Sequence, residues 1–271
     1  MTETNTRAYA LGHDDSELRR LEHQARMLEP ATKAILTLAG LRPGMRVLDL
    51  GTGPGDVALA AAEIVGDSGQ VVGIDLEARA LAVARRRTAE RGLGNLTFEQ
   101  ADVREWKAAG PVDAVIGRLI LLYCADAPAV IRHHLAALSP GGLYVAMEYD
   151  MTAARAEPGC PEVDRACGWI SEAFRRGGMD PALGVRLGSV LRSAGLDPAV
   201  LGMQVYVSPE DGARAIAGVV TTLLPLIEKT GVATVDEVGP ATLGDRLAAA
   251  LTEAGSASIY PTLVGAWARK P

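Results

Sequence analysis

Aromatic side chains are scarce in this chain: three Trp, six Tyr and two Phe among 271 residues. Hydrophobic residues still make up 48% of it, so the interior must be built from Ala, Leu, Val and Ile, as in an ordinary globular protein. Cysteine is scarce too. Cys124, Cys160 and Cys167 show neither a paired framework nor the close spacing of zinc ligands, which implies reduced, structural thiols. No apolar run approaches the ~20 residues that a membrane span needs. The opening stretch MTETNTRAYALG has no basic segment leading into an apolar one, and a cytoplasmic protein with no membrane partner is expected. Positive charge is also in deficit. A net charge of -6 argues against nucleic acid as a partner. The densest basic run, Arg85 to Arg87, lies in EARALAVARRRTAERG, which reads as an exposed helix with Glu77 and Glu90 nearby, hence a solvated face. No metal site is expected either. His133 and His134 are adjacent on a predicted helix and point in different directions, and His23 lies inside another helix as a structural residue.

The length allows one large domain or two small ones. Residues 16 to 40 repeat apolar positions at helical spacing, with Pro30 expected to break them into two helices and Gly40 to end the second. They form an N-terminal helical cap, residues 1–41. From residue 45 strands and helices alternate: RVLDL, DVALAAAEIV, QVVGID, EARALAVARRRTAERG, LTFEQAD, VDAVIG, DAPAVIRHHLAAL, GLYVAMEYD. Apolar strands separated by helices imply a parallel sheet covered on both faces, so the fold class is a doubly wound α/β sheet. Helices follow near 162–176 and 183–195, then a strand at 199–207, completing a core over 42–208. Residues 209–255 read as an inserted helical lid, being too long for a bare loop. Residues 256–271 supply a final strand whose Pro261 fits only an edge or a bulge. The chain is a single domain overall, without repeats or low-complexity tracts.

In an open α/β sheet the ligand sits beyond the carboxyl ends of the strands, near the reversal of strand order. The first turn, LGTGPGD, carries Gly51, Gly53 and Gly55, which remove side chains where the backbone bends sharply and approaches a ligand, and Asp56 reads as the N-cap of the next helix. A tight strand-to-helix turn without a ligand would use the same glycines. A dinucleotide fingerprint requires a third glycine where Asp56 stands, and no Gly-Lys-Ser/Thr follows, so pyrophosphate and P-loop ligands are disfavoured and a nicotinamide-dependent oxidoreductase is weakened. Asp49, Asp75, Asp102 and Glu148 close four strands. Four carboxylates on one rim would repel unless hydrogen-bonded or matched by a cationic, hydroxyl-rich ligand. Asp75 lies about 20 residues past the last glycine, where an acid meets ribose hydroxyls in this architecture.

With these residues in place, VLDLGTGPGD, VVGID and FEQAD resemble the successive cofactor motifs of class I S-adenosylmethionine-dependent methyltransferases, with the UbiE-like small-molecule branch the most similar in character. The similarity is good over residues 42–150 and weaker in the end strands. It implies a mostly parallel seven-stranded, Rossmann-like sheet with S-adenosylmethionine as cofactor. It also implies that Asp49 and the turn residues Gly51, Thr52, Gly53 and Gly55 serve the methionine part, that Asp75 holds the ribose, that Leu76 flanks the adenine, and that Asp102 and Val103 contact its edge. GRLILLY, residues 117–123, matches the segment that passes under the cofactor. Thr52 stands where many relatives carry Cys or another small residue. S-adenosylmethionine has no phosphate, in keeping with the turn; its carboxylate suits backbone amides and Arg118, unless Arg118 pairs with a rim acid instead.

Methyl transfer needs the acceptor atom held near the sulfonium methyl, and a base only where the nucleophile loses a proton. His13 is the first candidate base and acceptor contact, in a segment able to fold over the pocket, with an exposed loop histidine as the plainer alternative. Glu148 and Tyr149 are the next catalytic candidates, Glu148 also as a substrate contact, and Tyr9 as a group that stacks on or hydrogen-bonds the acceptor. No Asn-Pro-Pro-Tyr-like segment follows the fourth strand, where base-methylating relatives carry one. A small, substantially apolar metabolite or natural-product intermediate is the expected acceptor, methylated at O, N or C. A protein that binds S-adenosylmethionine without transferring its methyl is the alternative. The oligomeric state, homodimer included, is left open.

Overall fold

The computed structural model describes residues 15–271, with side chains from residue 27 onward. Helix α1 (Asp15–Ala39) leads into β1 (Arg46–Leu50), α2 (Asp56–Val65), β2 (Gln70–Asp75), α3 (Ala78–Glu90), β3 (Leu96–Gln100) and β4 (Val112–Arg118). A 3-10 turn (Leu121–Tyr123), α4 (Ala127–Leu135) and β5 (Leu138–Asp150) follow, then β6 (Arg155–Glu157), α5 (Pro161–Arg176), α6 (Leu183–Ser193), β7 (Ala199–Met203) and β8 (Tyr206–Val207). The chain closes with α7 (Pro209–Lys229), α8 (Val235–Val238), α9 (Pro240–Glu253), β9 (Ala257–Ile259) and β10 (Thr262–Arg269).

Seven strands form one sheet in the order β3-β2-β1-β4-β5-β10-β7. β10 runs antiparallel to both neighbours, β5 and β7, and the pairings among the first five strands are all parallel. The doubly wound expectation is therefore met. Strand residues alternate between two apolar cores, as the two-residue period of a strand demands. On β5, Leu143, Val145, Met147 and Tyr149 join the core under α1 and α2, whereas Tyr144 and Ala146 join the core that includes α5, α6, α7 and α9. α5 buries Val163, Ala166, Ile170, Ala173 and Phe174, a stripe with a period of three to four residues that faces this second core. α9 does the same with Leu243, Leu247 and Leu251.

Three expectations need correction. Pro30 does not break the first helix: α1 runs through it to Ala39, with Pro30 on the exposed side and Leu28, Ala31, Ile35 and Leu36 buried beneath. Burial of that stripe outweighs the hydrogen bond a helical proline forfeits. Residues 199–207 are not one strand. β7 stays in the large sheet, while β8 joins a separate three-stranded antiparallel sheet, β6-β9-β8, that was not expected. The last strand, β10, is internal rather than an edge. Pro261 lies in the step between β9 and β10, so its missing N–H removes nothing from the ladder. The segment 209–255 is helical as expected, made of α7, α8 and α9, and α7 packs on α5, α9 and α1. Among the described residues no helix is long and apolar enough to cross a membrane.

Gly265 of β10 marks how closely α1 seats on the sheet. A Cβ there would lie 2.5 Å from Ile35 Cγ2. Gly265→Ala is therefore expected to destabilise the fold by roughly 1–3 kcal/mol through overpacking, read as a lower denaturant midpoint at unchanged m-value.

Candidate active site

The order of the sheet reverses between β1 and β4, and the turn after β1 lies at that switch point. Gly51, Gly53 and Gly55 have φ of 61°, 53° and 88°, a left-handed backbone that side-chain-bearing residues rarely adopt. Each glycine serves a different neighbour. A Cβ on Gly51 would lie 2.5 Å from Ile120 Cδ1, and one on Gly55 would lie 3.0 Å from Ala84 Cβ, whereas one on Gly53 would meet nothing within 4 Å. Gly53 thus opens onto a cavity of about 850 Å³, which also reaches Gly51, Thr52, Asp75, Leu76 and Asp102. Gly55 is not among the residues lining it and packs against Ala84 of α3 and Phe98.

The four strand-end acids have four different surroundings, so the picture of a common acidic rim is corrected. Asp49 lies beneath the turn, 1% exposed, and does not line the cavity. Its Oδ2 accepts from Thr52 Oγ1 at 2.6 Å, Oδ1 is buried without a hydrogen bond, and burial pushes the carboxyl up to about 7. Asp75 binds the turn itself: Oδ2 accepts from Gly53 N at 2.8 Å and Oδ1 from Glu77 N at 2.9 Å. Asp102 is gripped by Arg104, whose backbone N and Nε both donate to Oδ1 at 2.8 and 2.9 Å, with Nη2 on Oδ2. That guanidinium holds the Asp102 carboxyl below the usual carboxylate range. Glu148 lines the cavity although it is only 1% exposed. Its Oε1 accepts from the backbone N–H of Ile120 at 3.0 Å and of Leu121 at 2.7 Å, and burial outweighs these bonds to raise the carboxyl to about 8.

Asp56 is not the N-cap of α2. Gly55 is, and Asp56 is the first helical residue, where its charge suits the helix N-terminus. Asp56 pairs with Arg87 Nη1 at 2.6 Å, and the same Nη1 donates to Pro54 O at 2.7 Å. The basic run is therefore not simply solvated: Arg87, with its side chain 18% exposed, staples the turn, and Arg85 donates to Phe98 O. Arg118 lines the cavity, donates to Thr32 Oγ1 at 2.8 Å, and lies 4.0 Å from Asp56 Oδ2. It faces Asp56, at the start of α2, and α1 together.

Leu76, Val103, Arg104 and His133 bound the end of the cavity beyond β2 and β3. The two adjacent histidines of α4 hold that loop by donating to carbonyls, His133 Nε2 to Trp106 O at 2.7 Å and His134 Nε2 to Val103 O at 2.6 Å. Among the described residues no group of three or more His, Cys, Asp or Glu is placed to hold a metal ion. On the β5 and β10 side, away from β2 and β3, Tyr149 and Tyr260 meet edge to face, ring centres 6.3 Å apart, and Ile170, Phe174 and Val219 of α5 and α7 line the same cavity. Cys167 also lines this end, and burial pushes its thiol up to about 12. Tyr9 and His13 lie outside the described residues. Arg104, Ile120 and Tyr260 were not anticipated as individual site residues; position two beyond Asp102, the interior of GRLILLY and the step before Pro261 were their only signals.

The order of the sheet, with its antiparallel β10, and the glycine turn at the switch point are those of the Rossmann-like methyltransferase class. Residues 41–172, just under half of the chain, match the family described as "Methyltransferase domain". Over 113 residues the chain is 36% identical to the ubiquinone/menaquinone biosynthesis C-methyltransferase UbiE of Shewanella woodyi, covering 41% of this chain and 45% of that one. Nocamycin O-methyltransferase of Saccharothrix syringae is 36% identical over 114 residues, 42% of this chain and 41% of that one. The chain thus spans less than half the length of the curated relatives it matches. A solved S-adenosylmethionine-dependent methyltransferase from Aquifex aeolicus shares the fold, with a TM-score of 0.54 at 21% identity over 72% of this chain and 94% of that one. Over residues 41–172 the chain is thus similar in sequence to methyltransferase domains, and its fold is that of S-adenosylmethionine-dependent methyltransferases.

The raised Asp49 carboxyl has a consequence for stability. In the unfolded chain it ionises near 4, so between about pH 4 and 7 the native state holds a proton that the unfolded state has lost. Stability contributed by the neutral acid is full below that window and falls as pH rises through it, by at most about 1.4 kcal/mol per pH unit. A fall in melting temperature between pH 5 and 7 is expected for the ligand-free wild type, and Asp49→Asn is expected to make it shallower, with the raised Glu148 carboxyl contributing the remainder.

Proposed function

We propose that the protein transfers a methyl group from S-adenosylmethionine to a small, largely apolar acceptor. The observation that carries this reading is the continuity of one cavity, from the glycine turn and Asp75 at one end to the Tyr149–Tyr260 pair at the other. Its volume, about 850 Å³, is near the upper end of the ~300–1,000 Å³ range of small-molecule sites, which suits a cofactor and an acceptor side by side.

The residues present fit the cofactor. Gly53 leaves open space where a side chain would block approach, and Asp75 presents a carboxylate at the cavity wall for ribose hydroxyls. Leu76 and Val103 would flank the adenine, with Asp102 at its edge, and Gly51, Thr52 and Arg118 would meet the methionine part. Asp49 acts from below by fixing Thr52. When bound, S-adenosylmethionine supplies an electrophilic methyl on a sulfonium. The protein's own contribution is then to orient the acceptor and exclude water, which alone accounts for much of the acceleration of such displacements.

The acceptor end is walled by Ile170, Phe174 and Val219, which favour an apolar body, while the hydroxyls of Tyr149 and Tyr260 are the polar groups suited to orient a hydroxyl or carbonyl on it. Tyr149 is thus a candidate catalytic residue at this end. Tyr9 and His13 are further candidates, for acceptor contact and for accepting a proton. The names of the two relatives, one a C-methyltransferase of quinone biosynthesis and one an O-methyltransferase named for nocamycin, support small-molecule and natural-product acceptors of this kind.

Calorimetry with S-adenosylmethionine and S-adenosylhomocysteine tests the first half. The wild type should bind, Asp75→Ala should weaken binding about ten- to a hundredfold through lost charge-assisted hydrogen bonds, and Gly53→Arg should abolish it while circular dichroism remains native. No binding by folded wild type would sink the reading. Formation of S-adenosylhomocysteine on incubation with hydroxylated aromatic and quinol acceptors tests the second half, and Tyr149→Phe should lower that turnover more than cofactor affinity.

A further inference from the structure

Glu148 is the best-enclosed acid facing the cavity, and its hydrogen bonds run to the backbone beside the cofactor turn. Ile120 and Leu121, whose N–H groups donate to its Oε1 at 3.0 and 2.7 Å, sit where the chain leaves β4 for the 3-10 turn. That bend includes Leu119, the one non-glycine residue of positive φ among those described, at 58°. A branched side chain disfavours this backbone, which persists only where its surroundings impose it. Leu119 N donates to Met147 O at 2.8 Å, so β5 holds the bend from two successive residues, Met147 by its backbone and Glu148 by its side chain.

The held residue, Ile120, in turn reaches the glycine turn. Its Cδ1 and Cγ1 lie 2.5 and 2.8 Å from where a Cβ on Gly51 would be, and its Cγ2 lies 3.0 Å from that of Gly117. Ile120 is therefore wedged between the first residue of the cofactor turn and the end of β4, in space that two glycines leave free. A continuous chain of contacts runs from the Glu148 carboxylate through the Ile120 backbone and side chain to Gly51.

We propose that Glu148 is a positioning residue: by clamping the Ile120 and Leu121 amides it holds the Ile120 wedge against Gly51 and so sets the shape of the S-adenosylmethionine turn. This replaces the part of acceptor base or acceptor contact that its place at a strand end suggests. Two N–H donors already occupy Oε1, and a base needs hydrogen-bond reach to the proton it takes. The inference rests on the reading that the cofactor binds at this turn.

The probe is S-adenosylhomocysteine, with its affinity measured by calorimetry on Glu148→Ala, Glu148→Gln and Ile120→Ala. Glu148→Ala should bind at least about tenfold more weakly than wild type, the scale of two buried N–H groups left without their acceptor. Glu148→Gln should recover most of that loss, because its amide oxygen can accept from the same two N–H groups. Ile120→Ala, which leaves the carboxylate in place, should weaken binding as well, and it decides the matter if Glu148→Ala does not fold. Wild-type affinity in both alanine variants would overturn the proposal, as an acceptor base would leave cofactor affinity untouched. A glutamine variant as weak as the alanine one would also overturn it. A folded wild type that binds no S-adenosylhomocysteine would instead remove the underlying site reading, a result visible before any variant is made.

Discussion

The hydrogen bond from Gly53 N to Asp75 Oδ2 ties the turn after β1 to the end of β2, and the candidate site depends on it. Three positive-φ glycines free the turn from the conformations that side chains allow, and so free it to move unless something outside holds it. Asp75 holds the middle. Arg87 holds the far side through Pro54 O and Asp56, and Ile120 fills the space under Gly51. A turn that flexible in sequence is thus constrained from three directions by β2, α3 and the segment after β4, which is how backbone can be presented to a ligand at low entropic cost.

The strand-end acids show how one residue type is specialised by its surroundings. Asp75 accepts two backbone N–H bonds, Asp102 takes a guanidinium fork, and Asp49 and Glu148 are buried deeply enough that the neutral acid is favoured upward through several pH units. Four ionised carboxylates on one rim would repel one another and any anionic part of a ligand. Burying two and pairing one with a guanidinium makes Asp75, held by backbone N–H groups, the carboxylate that the proposed reading assigns to ribose hydroxyls, which an acceptor-only group suits. A rim of this kind tolerates the carboxylate of a methionine moiety nearby, where four exposed charges would not.

The core strands and their parallel pairing were legible because each is a short apolar run bounded by glycine or acid, and the alternation with helices forces parallel pairing. Pro30 misled because local propensity argues for a break, while the buried stripe from Leu28 to Ala39 belongs to tertiary packing that a local rule does not weigh. Pro261 misled by one position: it does restrict the strand, but from the step before β10. The small sheet of β6, β8 and β9 was illegible for a different reason. Its strands are two or three residues long and come from segments about fifty to a hundred residues apart, below what any periodic pattern can reveal. At the site, Gly53 and Asp75 announced themselves by type and spacing. Asp49 and Gly55 carry the same motif signal yet are not among the residues lining the cavity, since a motif records which residues a turn needs and not only those at a cavity wall.

The two ends of the cavity differ in how they are encoded. The cofactor end is made from backbone, glycines and acids in a short span of the sheet, residue types that the burial of apolar surface does not select. The end proposed for the acceptor is lined by Ile170 and Phe174 of α5, Val219 of α7 and Tyr260 before β10, and the helical residues continue the same apolar stripes that build the core. In sequence they are indistinguishable from core positions, because the physics that selects them, burial of apolar surface, is the same. Their separation from the sheet has a functional side. Side chains on α5 and α7 can change volume without disturbing the Gly53–Asp75 bond or the register of β1, so one cofactor platform can serve acceptors of different shape. Tyr149 is the exception at this end, since it extends from β5 itself, one residue after Glu148 and on the opposite face of the sheet. A single two-residue step at the end of one strand therefore sends one side chain toward the segment that shapes the turn and the next toward the chamber where the acceptor would lie.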